Sequence, residues 1–199
     1  MNFQIYVVDC ETTGLDEIKN DPIEISIYRL SDGSQNTWFL KPTNPDNIDA
    51  AAVRINGYNV DDLRGLTKQG KEKYLPAEKQ LVSIENWLND DNGSATNRML
   101  VGQNIDFDKR MLQELWKKCN SYETFPFSER YKLDTMQIEL IINYCTGSIN
   151  EVLGYSLNAL TKKYGVKNIK SHTAESDVLA TVEVFNKQVE FIKNKFKNG

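Results

Sequence analysis

Asp9 and Glu11 stand two residues apart at the end of an apolar run, Ile5-Tyr6-Val7-Val8. In an extended strand alternate side chains share a face, so both carboxylates continue the stripe begun by Ile5 and Val7. Carboxylate oxygens facing one way are ligands for a hard divalent cation, although a lone pair of this kind also ends ordinary strands. Thr12-Thr13-Gly14 follows directly. The glycine permits a tight turn, and the threonines offer hydroxyl and N–H donors to a phosphate or sugar. Two more acidic segments lie far away in the chain. In Asn104-Ile105-Asp106-Phe107-Asp108, either aspartate can cap the following helix, and Asp108 can instead point into a cleft. Asp177 sits one turn into the last helical pattern, where an acid also suits the helix dipole. His172, the single histidine, precedes it by five residues in a polar stretch. One histidine and three scattered cysteines do not make a zinc site of the His-rich type. A carboxylate-rich set favours magnesium or manganese.

These residues need elements to bring them together. Gln4 to Asp9 reads as a buried strand, and Ile23 to Leu30 as a second that alternates on Ile23, Ile25 and Ile27. Asp32-Gly33 signals a hairpin, with Thr37 to Leu40 returning. Ala50 to Arg54 reads as a short helix ending near Asn56-Gly57, and Gly65 to Pro76, polar with two glycines, reads as a mobile loop. Ala77 to Leu88 is helical, Met99 to Val101 is a short strand, and Asp108 to Lys118 is a helix with Phe107 packed inward at its start. Asp134 opens another helix that stops before Gly147. Ser156 caps a helix closed by Gly165. The last helix runs from about Ala174 to Lys195, with Val178, Val182, Phe185 and Phe191 inward. The pattern predicts one α/β domain over residues 1–199, a mixed sheet, antiparallel and then parallel, with helices on its faces.

Composition sets the limits. The 199 residues are 40% apolar and 26% charged, which suits one domain with a full core. No apolar run is long enough to cross a membrane. The N-terminus has no positively charged leader, and the odd, widely spaced cysteines suggest reduced thiols, so a cytoplasmic setting is expected. The net charge of −4 argues against an avid non-specific nucleic-acid binder, unless the excess carboxylates sit on metal ions. No Walker-type phosphate loop occurs, which discounts ATP chemistry.

Taken together, the three acidic segments resemble a known family. Asp9-Cys10-Glu11-Thr12-Thr13-Gly14, Asn104-Ile105-Asp106-Phe107-Asp108 and His172-Thr173-Ala174-Glu175-Ser176-Asp177 are similar, in order and spacing, to the three exonuclease motifs of the DEDDh superfamily. Within it they resemble the epsilon proofreading subunits of bacterial DNA polymerase III and their stand-alone relatives. Val101-Gly102-Gln103-Asn104 resembles a family run in which Gln103 replaces histidine, and Asn56-Gly57 resembles a His-Gly turn with Asn56 in the histidine's place. Lys132 to Thr135 and Ser156 to Gly165 also resemble family stretches.

The resemblance implies a ribonuclease H-like fold with a mixed five-stranded sheet flanked by helices. It assigns the second-motif ligand to Asp108 rather than Asp106. It implies that Asp9, Glu11, Asp108 and Asp177 hold two divalent cations, Mg²⁺ or Mn²⁺, for phosphodiester hydrolysis. His172 is then the general base, with Thr173 where the tyrosine branch of the superfamily carries its tyrosine. Thr12, Thr13, Gly14, Leu15, Asn104 and Phe107 are implied contacts to the terminal nucleotide, with Leu15 as a wedge against its base. Lys109, Arg110 and the Lys68–Lys73 segment are candidate phosphate contacts. The expected partner is a single-stranded 3′ end, DNA ahead of RNA, with nucleoside 5′-monophosphates as products. A polymerase or a second copy of the chain is a further candidate partner. With no evident polymerase-binding tail, independent action is equally expected. The rivals are an RNA-directed exonuclease of oligoribonuclease or tRNA-trimming type, and a non-catalytic binding domain on the same fold.

Overall fold

The computed structural model describes residues 3–148, 154–167 and 173–197. Strand β1 (Gln4–Thr12) lies in the middle of the sheet because its residues are apolar on both sides. Tyr6, Val8 and Cys10 face one way, and Ile5 and Val7 face the other. It pairs antiparallel with β2 (Pro22–Arg29), which turns through Gly33 into antiparallel β3 (Gln35–Lys41). On its other side β1 pairs parallel with β5 (Arg98–Gly102), and β5 pairs parallel with β6 (Lys132–Asp134). A two-residue strand, β4 (Leu75–Pro76), adds to the outer edge of β3, so the order is β4-β3-β2-β1-β5-β6. The four strands read from the sequence are present, β6 makes up the five that the resemblance implies although its residues were read as a helix start, and the short edge adds a sixth.

Helices cover both faces. α4 (Ala77–Asn89) and α5 (Ile105–Lys118) press Leu81, Ile84, Leu88, Ile105, Leu112, Leu115 and Trp116 onto Tyr6, Val8, Ile25 and Ile27. On the opposite face α8 (Ala174–Lys197) lays Val178, Val182 and Phe185 on Val7 and Val101. Each such side chain contributes roughly 1.5–3 kcal/mol on burial. Phe191, expected inward, is half-buried near the end of α8. α6 (Thr135–Thr146) and α7 (Leu157–Tyr164) pack against α8. Asp134 and Ser156 cap them as expected, and Gly147 and Gly165 close them in the left-handed conformation.

Three expectations change. First, α8 covers the polar face of β2, so Glu24 and Ser26 are buried as fully as the isoleucines between which they alternate. Second, α5 begins at Ile105, not Asp108. Asn104 occupies the cap position with φ +57°, and both Asp106 and Asp108 lie inside the first turn, so neither is the cap. Ile105 takes the core position and Phe107 stays half-buried.

Third, the stretch from Gly65 to Pro76 is not a structureless loop. After α1 (Ala50–Ile55) and α2 (Val60–Leu63), Thr67 caps α3 (Lys68–Lys73), and the chain runs on into β4. Gly70 is what lets α3 lie on α2, since a Cβ there would fall 2.2 Å from the carbonyl oxygen of Asp62. Backbone cannot yield as a side-chain tip can. Gly70→Ala is therefore expected to lower stability by about 1–3 kcal/mol. Urea unfolding checks this: the midpoint should fall while the slope stays constant.

Candidate metal centre

The centre begins where β1 outruns its parallel neighbour. Pairing with β5 ends at Val7 opposite Val101, while pairing with β2 continues to Thr12. Beyond Val7 the β5 side of β1 has no strand to satisfy it, because the chain after Gly102 has turned into α5. Asp108, one turn into that helix and buried, fills the gap: its Oδ1 accepts the Cys10 N–H at 3.0 Å. A register shift between Glu11 and Thr12 then bends the strand end, as bulges beside functional sites do.

On the α8 face, Asp9 and Glu11 meet Asp177 from the first turn of α8. One carboxylate oxygen from each lies within 4.8 Å of the others. This cluster can chelate a divalent cation, since oxygen donors are what hard cations take. Asp108 stands outside that triad but next to Asp9, whose pKa it raises more than any other single charge does. Burial first, and then the charges of Asp108, Asp177, Glu11 and Glu24, push Asp9 well above the ordinary carboxylate range. Burial, then Asp177 and Glu24, raise Glu11 to about 7 against the help of Asn56. Burial dominates at Asp108, raising it to about 8 despite the Cys10 amide. The Cys10 thiol, enclosed by the same groups, is also pushed well up by burial and by Asp108.

Neutral donors border the acids. The Asn56 carboxamide hydrogen-bonds Glu11 and the Tyr58 hydroxyl hydrogen-bonds Glu24, both from the turn after α1. Glu24 lies directly across from Glu11 in the hairpin register. The sequence reading passed over Glu24 and Tyr58. The Asp32-Gly33 turn fixes only the β2–β3 register, which pairs Glu24 with Phe39, so no local signal put Glu24 beside Glu11; the His-Gly-like turn was the one signal for Asn56.

The remaining predicted residues divide. Thr12 and Thr13 are buried, and their hydroxyls are used within the loop: Thr12 donates to the Gly14 carbonyl at 2.7 Å, and Thr13 accepts from the Asp21 amide at 3.0 Å. Gly14 packs against the Asn20 side chain, where a Cβ would collide at 2.4 Å. Leu15 projects from the loop with 80% of its surface exposed. Asn104 is exposed, and its N–H reaches Asp134 Oδ1 at 3.2 Å. Lys109 is buried with its ammonium on the Glu129 carbonyl, and Arg110 pairs with Glu17 at 3.2 Å. His172 lies outside the described residues. Among the described residues no helix is long and apolar enough to cross a membrane.

A mixed sheet with a carboxylate cluster at the end of its central strand is a ribonuclease H-like arrangement that could chelate a divalent cation. Residues 6–185 match the RNase_T exonuclease family, and the chain belongs to that family. It is 27% identical over 195 residues to a PolC-type DNA polymerase III of Thermotoga petrophila, covering 96% of this chain and 12% of the relative. It is 28% identical over 191 residues to the PolC-type enzyme of Staphylococcus haemolyticus, covering 94% of this chain and 12% of that one. Among solved structures, a zinc-bound complex of E. coli exonuclease I with single-stranded DNA matches the whole chain over 42% of its own length, with a TM-score of 0.71 and 16% identity. Exonuclease I of Methylocaldum szegediense matches 93% of this chain and 40% of its own, with a TM-score of 0.68 and 20% identity. These likenesses show the fold. The chain spans about an eighth of the length of these polymerase relatives.

The raised carboxylates make stability depend on pH. Glu11 and Asp108 bind protons more tightly folded than unfolded, where their pKa values are about 4. The metal-free folded state therefore holds more protons from about pH 4 up to about 8, and its stability must fall as pH rises through that window. Thermal unfolding in chelator should show Tm declining from pH 5 to pH 8, and saturating Mn²⁺ should flatten the decline.

Proposed function

We propose that the protein is a divalent-cation-dependent 3′–5′ exonuclease that trims single-stranded DNA to nucleoside 5′-monophosphates. The observation that carries this reading is the convergence of Asp9, Glu11 and Asp177, with Asp108 beside Asp9, on the open end of β1. The four carboxylates fit a pair of Mg²⁺ or Mn²⁺ ions, since their donors are all oxygen and their raised pKa values are relieved by positive charge. When bound, the ions supply the charge that offsets the anionic phosphate and the leaving 3′ oxygen.

The chain's own residues do the rest. Asp9, which has Asp108 as well as Glu11 and Asp177 for neighbours, would hold a cation together with them. The Cys10 N–H fixes Asp108, and Asn56 fixes Glu11. His172, two residues before Ala174 at the start of α8, takes the proton from the attacking water. Thr12, Thr13 and Gly14 shape the loop from which Leu15 projects, and Leu15 wedges under the terminal base. Phe107 and Asn104, partly or fully exposed at the start of α5, border the terminal sugar. DNA is favoured over RNA because the matched E. coli exonuclease I structure is a complex with single-stranded DNA and the matched relatives are DNA polymerases. Those polymerase chains also make a polymerase the favoured protein partner.

Asp9→Ala or Asp108→Ala is expected to abolish hydrolysis while leaving the protein folded; Tm in chelator should hold or rise for Asp9→Ala, where repulsion is relieved, and fall below that for Asp108→Ala, where the buried Cys10 N–H loses its acceptor. His172→Ala should cut kcat by about 10²–10⁴-fold with Mn²⁺ affinity retained. Calorimetric titration with Mn²⁺ separates the two roles, and equal loss of binding in all three variants would refute the division. Single strands labelled at the 5′ end should give stepwise ladders from the 3′ end, faster for DNA than for RNA. Internal cleavage, or cleavage in chelator, would refute the activity, and faster RNA trimming would reverse the substrate order.

A further inference from the structure

α8 begins beside the metal centre, so its first turn must be held still. The first N–H groups of any helix lack partners inside it. In α8, Thr173 Oγ1 accepts the Ser176 N–H at 3.3 Å, a local cap. The Glu175 N–H is satisfied from outside the helix: it donates to Glu24 Oε1, on β2, at 3.3 Å. The Glu175 carbonyl is held as well, by Gln35 Nε2 from β3 at 3.2 Å. Both backbone groups of one residue, two before Asp177, are thus gripped by side chains of the sheet.

Glu24 is an expensive residue to place there. It is buried and directly opposite Glu11, and like charges in that position repel. A carboxylate at a helix N-terminus is favoured by the helix dipole, which offsets part of that repulsion. Both its oxygens are engaged, Oε1 with the Glu175 amide and Oε2 with the Tyr58 hydroxyl. These observations separate it from the metal ligands.

We propose that Glu24 is a positioning residue: it holds the first turn of α8, and with it Asp177, against the end of β1. Tyr58 fixes the carboxylate in turn, joining the 56–58 turn to the helix start. The inference deepens the metal-centre reading and rests on Asp177 being a ligand.

The test compares Glu24→Ala, Glu24→Gln and Glu24→Asp with the wild-type chain, by calorimetric Mn²⁺ titration and by amide hydrogen exchange across residues 174–177 in chelator. Glu24→Ala should weaken Mn²⁺ binding by about 10–100-fold, as loss of a residue supporting a metal ligand does, and should speed exchange in that turn. Glu24→Gln keeps an acceptor for the Glu175 N–H and should restore most of both. Glu24→Asp keeps the charge but is one methylene too short to reach, so it should behave like alanine. It also serves as the folded comparison if the alanine variant does not fold. Wild-type Mn²⁺ affinity and exchange in Glu24→Asp would overturn the inference. So would a glutamine variant as impaired as alanine, since that would mean the charge itself is needed. Asp177→Ala is the control: undiminished Mn²⁺ binding there would bring down the ligand assignment, while the exchange data would still decide whether Glu24 holds the helix.

Discussion

Like charge forced together inside the protein is the constraint on which the rest of this structure depends. Asp9, Glu11, Asp108 and Asp177 converge at one strand end, and Glu24 adds a fifth acid nearby. Without a cation the folded chain relieves the crowding by holding protons. Its two apolar faces supply the opposing free energy. Tyr6, Val8 and Trp116 anchor one, and Val7, Val178 and Phe185 anchor the other. The site is thus a local cost carried by a well-packed sheet, as expected where an arrangement is built for function rather than stability.

A single topological step creates the opening. The chain leaves β5 early and enters α5, so the central strand projects past its parallel neighbour. An edge N–H is exposed by that step and at once satisfied by Asp108. The same step that frees the strand end therefore delivers a further carboxylate to it. From the other face α8 delivers Asp177, and the turn after α1 delivers Asn56.

Much of this was legible in the sequence. Period-two spacing put Asp9 and Glu11 on the Val7 face, and that is the face α8 covers. The helix ends at Gly147 and Gly165 followed from their left-handed preference. What was not legible depended on partners distant in the chain. Glu24 looks like an ordinary outward residue of an alternating strand until α8 buries it. The Gly65–Pro76 stretch looks like loop because its helix has little apolar content, and only Thr67 capping and the close approach at Gly70 reveal it. The threonines of the first motif read as ligand donors, and in the fold they secure their own loop.

The position of Cys10 has a consequence for redox chemistry. Sulfur reacts with oxidants and alkylating agents as the thiolate, and this thiol keeps its proton because it is buried and, after that, because carboxylates surround it. A cysteine flanked in sequence by two acids of the metal centre is thereby made inert. Peroxide or maleimide will find the exposed Cys145 instead, out on α6. The burial that carries this strand end in the core, joined by the carboxylates around it, thus also keeps its sulfur in the less reactive protonated form.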